Sequence, residues 1–467
     1  MRVMELARPS VIRLAATIAA IALATAPAHP LTRESKIQLP FIDDDYPRAL
    51  SEARARGVPL FVDAGAPWCH TCRSMQAFVF TDPAIAGEAG RFVWLEINTE
   101  RSQNAPFVKK YPVPALPTYF VIDPVAERAA LRWVGGTDVH KMVALLEDGR
   151  EGIREAHDAK SAGAAKPSGG ASTEADRAFA RAESLYASAA DSMAAEAYLR
   201  ALASAPAGWR HDSRAVESGL FALIQSGQKQ RAARLALESL KRLGRSSSSG
   251  NIVSSGLDAA IEIPAADSLA RAGLIRDLER LAQTIADDRS IAMAADDRSA
   301  VYIALLDARH DASDDAGTHR VAEAWATFLE GEAARATTAD ARAVFDPHRL
   351  SAYLELNQPE RAIPMLEASE RDLPDDYNPP ARLAVAYRAM KRWSDALAAS
   401  DRALAKAYGP RTLGMFQVRT DIYLGMGDTL KARGTLEHAL QVAEGFPPGQ
   451  RSQRSIDALQ QRLTALR

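Results

Sequence analysis

The C-terminal part of the chain repeats one short pattern, an aromatic residue followed nine positions later by an alanine. The clearest copies are Tyr353 with Ala362, Tyr387 with Ala396, and Tyr423 with Ala432. Successive copies lie 34 and 36 residues apart. A period of this length predicts paired helices that stack on one another, because each pair has an apolar face that only a neighbouring pair can cover.

The same frame continues outside these three copies. A third small residue follows in each copy, and two earlier pairs fit; these residues are Ser369, Ala403, Ala439, Tyr186 with Ala195, and Leu223 with Ala232. The pattern resembles the tetratricopeptide repeat, in which small residues of one helix meet bulky residues of the next. This resemblance implies an all-α solenoid over residues 174–467 that offers a surface to a protein or peptide partner. An unrelated bundle of alanine-rich amphipathic helices is the alternative.

The repeat frame is lost between residues 246 and 345, although helical character remains. Two stretches there, 245–251 and 307–317, are rich in serine or in acidic residues. Such composition predicts surface loops that interrupt the helices.

A change of composition divides the chain in two. Residues 156–173 are rich in alanine, glycine, serine and lysine and show no apolar periodicity, which predicts a flexible linker. The linker separates residues 37–155 from the repeat region 174–467.

Residues 37–155 show strand and helix patterns in alternation. A helix pattern begins after Asp45 and ends at Gly57, and another follows from residue 138 to 146. Strand patterns occupy residues 58–63, 92–97, 119–122 and 131–134. Strands that alternate with helices predict an α/β domain.

The first 28 residues have the features of a secretory signal peptide. Three arginines precede the apolar run 14–26, and Ala26-Pro27-Ala28 supplies a small-residue cleavage site. The apolar run holds 13 residues, fewer than the roughly 20 that a membrane-spanning helix needs. The sequence therefore predicts a periplasmic protein that is cleaved near Ala28 and has no stable membrane insertion. An uncleaved anchor is the alternative.

Cys69 and Cys72 are the only cysteines among the 467 residues. Two residues separate them, so both thiols lie within one helical turn and can open and close as a disulfide. His70 can carry positive charge beside the Cys69 thiolate, and Thr71 is polar. This pattern predicts redox chemistry at the cysteine pair.

Metal and haem sites are the other uses of such a pair. A structural zinc site needs two further ligands, and the remaining histidines show no paired spacing. Haem attachment needs a histidine directly after the second cysteine, where Arg73 stands. The sequence therefore predicts no metal and no cofactor besides the redox-active disulfide itself.

Residues 37–150 resemble a thioredoxin-fold domain. Residues 60–69 resemble the strand, buried acid and tryptophan that precede the reactive cysteine, and residues 113–118 resemble the loop that carries the cis-proline. Residues 80–85 resemble the corresponding stretch in the C-terminal thioredoxin-like domain of periplasmic disulfide-reducing transporters.

The resemblance implies a role for each matching residue. Cys69 would be the attacking nucleophile and Cys72 the resolving thiol, while Asp63 would be a buried carboxylate that helps to deprotonate Cys72. Pro117 would be cis, facing the cysteines. The supporting residues would be Trp68, which shields the pair, His70, Thr71 and Thr118.

The predicted function is an exported thiol–disulfide oxidoreductase that acts on protein thiols or disulfides, with a redox partner for electrons. The reductase or isomerase direction is favoured by the likeness to the reducing transporters. The His-Thr dipeptide between the cysteines departs from the family's usual pairs and leaves the direction open. The formal net charge of −2 gives no indication of nucleic-acid binding. A repeat scaffold with a docking or redox-sensing thioredoxin-like module is the alternative function.

Overall fold

A computed structural model of the chain describes residues 39–161, 173–264 and 268–466. The predicted signal peptide, residues 1–28, and its cleavage site at Ala28 lie outside the described residues. Within the described part, no helix combines the length and the hydropathy that crossing a membrane requires.

The N-terminal region is built on one mixed sheet. Its strands are β1 (Phe41–Asp43), β2 (Leu60–Gly65), β3 (Val93–Asn98), β4 (Thr118–Asp123) and β5 (Arg128–Val134). They lie in the order β1-β3-β2-β4-β5, with β1, β3 and β2 parallel and β4 and β5 antiparallel to their neighbours. Strand β2 is buried on both faces, with Phe61 in one apolar layer and Val62 in the other. The predicted α/β domain is therefore confirmed.

Helices cover this sheet; the one predicted to end at Gly57 does so, whereas the one predicted over residues 138–146 continues to residue 161. They are α1 (Tyr46–Arg56), α2 (His70–Ser74) with a π-helical continuation Met75–Val79, α3 (Pro83–Ala86), α4 (Ala105–Lys110) and α5 (Val139–Ser161). The Asp45 side chain accepts the Arg48 N–H at the start of α1, and Gly57 ends the helix with a φ of 64°. Helix α5 continues through residue 161, so the first part of the predicted linker is helical, and residues 162–172 lie outside the described residues.

The C-terminal region is all helical in its regular structure. Its helices are α6 (Glu174–Ala187), α7 (Asp191–Ser204), α8 (Asp212–Gln225), α9 (Lys229–Leu243), α10 (Ser249–Ile261), α11 (Ser268–Asp287), α12 (Ala295–Asp311), α13 (Asp315–Arg335), α14 (Ala339–Ala343), α15 (Asp346–Glu355), α16 (Ile363–Asp372), α17 (Asn378–Ala389), α18 (Trp393–Lys406), α19 (Arg411–Gly425), α20 (Thr429–Gly445) and α21 (Gln453–Ala465). Consecutive helices pack against each other along most of the region.

The small residues of the repeat frame lie at the helix contacts. All five alanines that follow the aromatic or leucine position are completely buried: Ala195, Ala232, Ala362, Ala396 and Ala432. A methyl group at these positions lets two helices approach closely, which a larger side chain would prevent. The predicted helical-repeat region is confirmed.

Of the two predicted surface loops in the degenerate segment, the first is partly confirmed, since residues 245–248 lie outside helices, and the second is wrong. Helix α10 begins at Ser249, and α12 and α13 leave only residues 312–314 between them. The serines are buried because their hydroxyls have partners: Ser248 accepts a hydrogen bond from Lys141 Nζ at 3.0 Å, and Ser249 accepts the Ser246 N–H at 2.9 Å. Composition alone did not reveal that these polar groups are satisfied inside the structure.

The contact between α9 and α10 depends on a glycine, and a substitution tests this. A Cβ on Gly256 would lie 2.3 Å from the Ala236 Cβ, which is too close for both helices to keep their positions. We expect Gly256→Ala to lower the free energy of unfolding by about 1–3 kcal/mol, because overpacking displaces the helices. Gly434→Ala is the matched control, since a Cβ there meets nothing within 4 Å and alanine is the better helix former by about 1 kcal/mol. Urea unfolding measures both changes; equal destabilisation of the two variants would contradict the expected close contact.

Candidate redox site

The two cysteines form a disulfide at the start of α2, directly after the central strand β2. Cys69 is the N-cap of the helix, and its sulfur accepts the Cys72 N–H at 3.1 Å. Their Cα atoms are 5.3 Å apart. Cys69 is 4% exposed and Cys72 3% exposed, so the pair is almost completely covered.

A buried carboxyl group lies behind this pair. Asp63 is on β2, and burial, followed by the nearby Glu96 charge, raises its pKa well above the usual range. Within the described residues, Asp63 Oδ1 has no hydrogen-bond partner. A Cβ placed on Gly65 would lie 3.2 Å from Cys72 Sγ and 3.7 Å from this oxygen. The missing side chain of Gly65 therefore leaves room between the carboxyl group and the Cys72 sulfur.

The loop before β4 reaches the same end of the sheet. The peptide bond between Leu116 and Pro117 is cis, as the resemblance implied. Thr118 pairs with Ala64 of β2, which places Pro117 beside the end of the strand that leads to the cysteines. The Thr118 hydroxyl donates to the Ala115 carbonyl at 2.6 Å and holds the loop.

The helical repeats pack directly onto the redox loop, which we define as residues 67–73. The Thr71 hydroxyl donates to Asp296 Oδ2 at 2.6 Å, and Arg73 forms an ion pair with Asp376 at 2.6 Å. The Asn378 side chain donates to the Pro67 carbonyl at 3.1 Å. These contacts come from two separated parts of the repeat region, one around Asp296 and one around Asp376.

Trp68 belongs to the same interface. Its indole N–H donates to Glu100 Oε1 at 2.9 Å, and the other Glu100 oxygen accepts the Arg411 N–H at 2.6 Å. The Arg411 guanidinium lies 4.9 Å from the centre of the Trp68 ring. Burial raises the pKa of Glu100, against the lowering effect of the Trp68 and Arg411 hydrogen bonds. Trp68 therefore forms part of the contact between the redox loop and the repeats.

His70 turns toward the repeats as well. Its Nε2 lies 3.2 Å from Asp296 Oδ1, and its ring centre is 3.8 Å from that of His348 on α15. His348 is buried, and burial together with the positive charges of His70 and Arg382 lowers its pKa well below the usual range. The two rings therefore share a largely buried pocket with one carboxylate.

The sequence did not reveal the repeat residues of this interface. Asp296, His348, Asp376 and Arg411 are each more than 200 positions from the redox loop and follow no common spacing. The one available signal was the acidic pair Asp296 and Asp297 at the start of a helix, which is also typical of an ordinary exposed helix terminus.

Comparison with known proteins agrees with this geometry. Residues 42–124 match the family model described as "Thioredoxin-like". Residues 41–134 form a thioredoxin-like domain. Its cysteine pair lies where β2 runs into α2, and its cis-proline precedes β4.

The thioredoxin-like domain is similar to parts of larger proteins. Thiol:disulfide interchange protein DsbD 2 of Pseudomonas aeruginosa is 31% identical over 107 residues, which are 22% of this chain and 18% of that protein. Thiol:disulfide interchange protein DsbD of Salmonella paratyphi A is 31% identical over 108 residues, which are 22% of this chain and 19% of that protein. The alignment thus spans less than one fifth of these relatives.

Two solved structures match somewhat more than half of this chain. A tetratricopeptide repeat protein from Parabacteroides merdae is 10% identical with a TM-score of 0.42, covering 63% of this chain and 98% of that chain. The complex of the TPR2AB domain of yeast Sti1 with pHSP90 is 15% identical with a TM-score of 0.22, covering 62% and 98%. Both scores are too low to establish a common fold, so the repeat architecture rests on the helix packing of this chain.

Proposed function

We propose that the chain is an exported, periplasmic thiol–disulfide oxidoreductase that acts on protein thiols or disulfides through Cys69 and Cys72. The observation that carries this proposal is the placement of the disulfide at the N-terminus of α2 in a thioredoxin-like domain, with Asp63 behind it. The similarity to the thiol:disulfide interchange proteins favours the reductase or isomerase direction. A second redox protein would supply the electrons.

Cys69 is the proposed nucleophile because it lies at the helix N-terminus. There the Cys72 N–H points at its sulfur, and the helix dipole stabilises a thiolate. In the reductive direction, the Cys69 thiolate attacks one sulfur of a substrate disulfide. A bond forms between Cys69 and that sulfur, and the second substrate sulfur leaves as a thiolate.

Cys72 completes the reaction. It loses its proton to Asp63 and attacks the Cys69 sulfur, which forms the Cys69–Cys72 bond and releases the remaining substrate sulfur as a thiolate. Two electrons pass from the cysteine pair to the substrate disulfide. The raised pKa of Asp63 suits this role, since a carboxylate with a raised pKa is a stronger proton acceptor.

The peptide backbone beside Pro117 is the proposed contact for the substrate chain. The repeats would determine which protein partner binds, because they pack against one side of the redox loop. A folded substrate reaches Cys69 only when the repeats withdraw from the redox loop, since the sulfur-bearing residue is 4% exposed.

The activity is tested by insulin reduction, with dithiothreitol as the electron donor and the full chain as the catalyst. We expect insulin to precipitate several times faster with the chain than with dithiothreitol alone. A rate equal to that of dithiothreitol alone would overturn the enzymatic proposal.

Weakening the contact between the redox loop and the repeats is expected to make the disulfide easier to reduce. Asp376→Ala removes the ion pair with Arg73, in which each side chain is 14% exposed, and leaves the arginine without its nearest carboxylate. Loss of one partner from such a pair typically costs more than 2 kcal/mol. We expect a protein reductant to reduce the Cys69–Cys72 disulfide at least about tenfold faster in this variant, since 1.4 kcal/mol corresponds to a tenfold change.

The matched control is Asp372→Ala. Asp372 pairs with Arg342 at 2.9 Å, and both side chains are more than 40% exposed. This change should leave the reduction rate as in wild type, because exposed pairs contribute little. Thiol alkylation followed by a gel shift measures the rate. Equal rates in the two variants would contradict the proposed covering of the disulfide by the repeats.

The packing of the redox loop on the repeats also favours one alternative, a scaffold that senses redox state. Thr71 and Arg73 contact the repeats on either side of Cys72, so opening the disulfide can alter those contacts. Partner binding that persists unchanged in a Cys69→Ala, Cys72→Ala double variant would support a scaffold without redox sensing. Binding that depends on the disulfide would support the sensor.

A further inference from the structure

Three side chains with metal-binding atoms meet where the redox loop touches the repeats. His70 comes from the loop, Asp296 from the second position of α12, and His348 from α15. One nitrogen of each histidine and one carboxylate oxygen lie within 4.8 Å of one another. The thioredoxin-like domain supplies one of these groups and the repeats supply two.

The donor set and its spacing suit a transition-metal ion. Zinc binds imidazole nitrogen and carboxylate oxygen at about 2.0–2.2 Å in tetrahedral geometry, which puts two ligands about 3.3 Å apart. The separation of His70 Nε2 from Asp296 Oδ1 is 3.2 Å. The centres of the two histidine rings are 3.8 Å apart, so both rings lie beside the same carboxylate.

Other contacts hold two of these groups in a ligating orientation. His348 Nδ1 is 2.8 Å from the Ser299 hydroxyl, which also accepts the Trp325 indole N–H at 2.6 Å. This leaves His348 Nε2 for a metal. The Thr71 hydroxyl binds Asp296 Oδ2 and leaves Oδ1 for the same purpose. Orienting partners of this kind accompany ligands in most metal sites.

The cluster has one open side. His348 is buried, and the side chains of Asp296 and His70 are 12% and 34% exposed. An ion can therefore enter past His70, where a water molecule can supply the fourth ligand. Zinc sites with three protein ligands and a water molecule in the fourth position are well known in proteins.

We propose that His70, Asp296 and His348 bind a divalent transition-metal ion, with zinc the best fit to the donor set. The ion ties the redox loop to α12 and α15. It thereby holds the repeats over the Cys69–Cys72 disulfide. The sequence predicts no metal site because histidine spacing along the chain does not reveal ligands from three distant elements.

Binding is tested on the full chain with its disulfide closed, so that the thiols cannot take up metal. Zinc is titrated by calorimetry, and Co²⁺ is followed by its visible absorption. We expect one ion per chain, with intense tetrahedral Co²⁺ bands. His70→Ala and Asp296→Asn should each weaken zinc binding at least about 100-fold, since even orienting partners contribute 10- to 100-fold.

The matched control is His310→Ala. His310 also pairs with a carboxylate, Glu355 at 3.0 Å, but on an exposed surface away from the cluster. This variant should bind zinc as wild type does. His70 lies on a partly exposed loop, so its replacement keeps the test valid even if a change at the buried His348 prevents folding. Failure of wild type to bind zinc at micromolar concentration, or equal affinity in His70→Ala, would overturn the proposed site.

The proposed effect of the ion on the disulfide, holding the repeats over it, is measured separately. We expect zinc to slow the reduction of the disulfide by a protein reductant at least threefold in wild type and not in His70→Ala. Equal rates of disulfide reduction in wild type with zinc and with a chelator would contradict the proposal that the ion holds the repeats over the disulfide. Metal binding is measured without turnover, so its failure is distinguishable from a failure of the proposed oxidoreductase function.

Discussion

Cys69→Ser is expected to abolish catalysis of insulin reduction, so that insulin precipitates at the rate of dithiothreitol alone, several times slower than with wild type. The reason is that a serine hydroxyl stays protonated at neutral pH and cannot attack a disulfide, whereas the helix N-terminus stabilises a thiolate at this position. Cys72→Ser should behave differently. It keeps the attacking thiol and loses the resolving one, so a mixed disulfide between Cys69 and the substrate should accumulate.

The two variants are distinguished by mass spectrometry after reaction with an excess of a disulfide peptide and no other reductant. Only the Cys72→Ser chain should carry the peptide. Ser74→Ala, on the same helix, is the matched control and should retain wild-type insulin reduction. Substantial activity in Cys69→Ser, or peptide capture by Cys69→Ser instead of Cys72→Ser, would contradict the assigned roles.

Asp63→Asn is expected to stabilise the folded chain at pH 7 by more than about 1 kcal/mol, since each unit by which folding raises a carboxyl pKa corresponds to about 1.4 kcal/mol. Burial raises the pKa of Asp63, so its ionised form is disfavoured in the folded state. Below the unfolded pKa of about 3.9 the group is neutral in both states. As the pH rises from there toward the folded pKa, the wild type loses stability that the variant keeps. The gain should therefore shrink as the pH falls toward 4.

The same change should slow turnover, because asparagine cannot accept the Cys72 proton. Asp123→Asn is the matched control, since Asp123 is also buried in the sheet but accepts hydrogen bonds from the Val125 and Ala126 N–H groups. Despite its burial, the His157 and backbone hydrogen bonds leave its pKa lowered. This group stabilises the fold above its unfolded pKa, so its replacement should destabilise the chain at pH 7. Urea unfolding across pH measures both; stabilisation by Asp123→Asn, or destabilisation by Asp63→Asn, would contradict these signs.

The sequence allowed prediction of the redox-site elements that are local in the chain. The strand with Asp63, the cysteine pair at a helix start and the proline loop lie within 55 residues, and their order alone specifies one end of a sheet. Helix pairs followed from alanines such as Ala396, because small residues at a fixed period meet at helix contacts.

The docking of the two regions could not be predicted. Asp296, His348 and Asp376 reach the redox loop through the packing of many helices, and no periodicity marks a residue that contacts another domain. The buried Ser248 shows the same limit, since its partner Lys141 lies in the other region. A stretch of polar residues has the sequence pattern of a surface loop even when it is buried, if its hydrogen-bond partners are distant in the chain.

The central claim is that Cys69 and Cys72 are a redox pair and not a structural disulfide. It is tested most directly by equilibrating the full chain with glutathione buffers and measuring alkylation of both cysteines by mass spectrometry. We predict that both thiols appear together in one two-electron transition between about −270 and −120 mV, the range of thioredoxin-fold oxidoreductases. A pair that stays oxidised below about −300 mV would be a structural disulfide and would contradict the account.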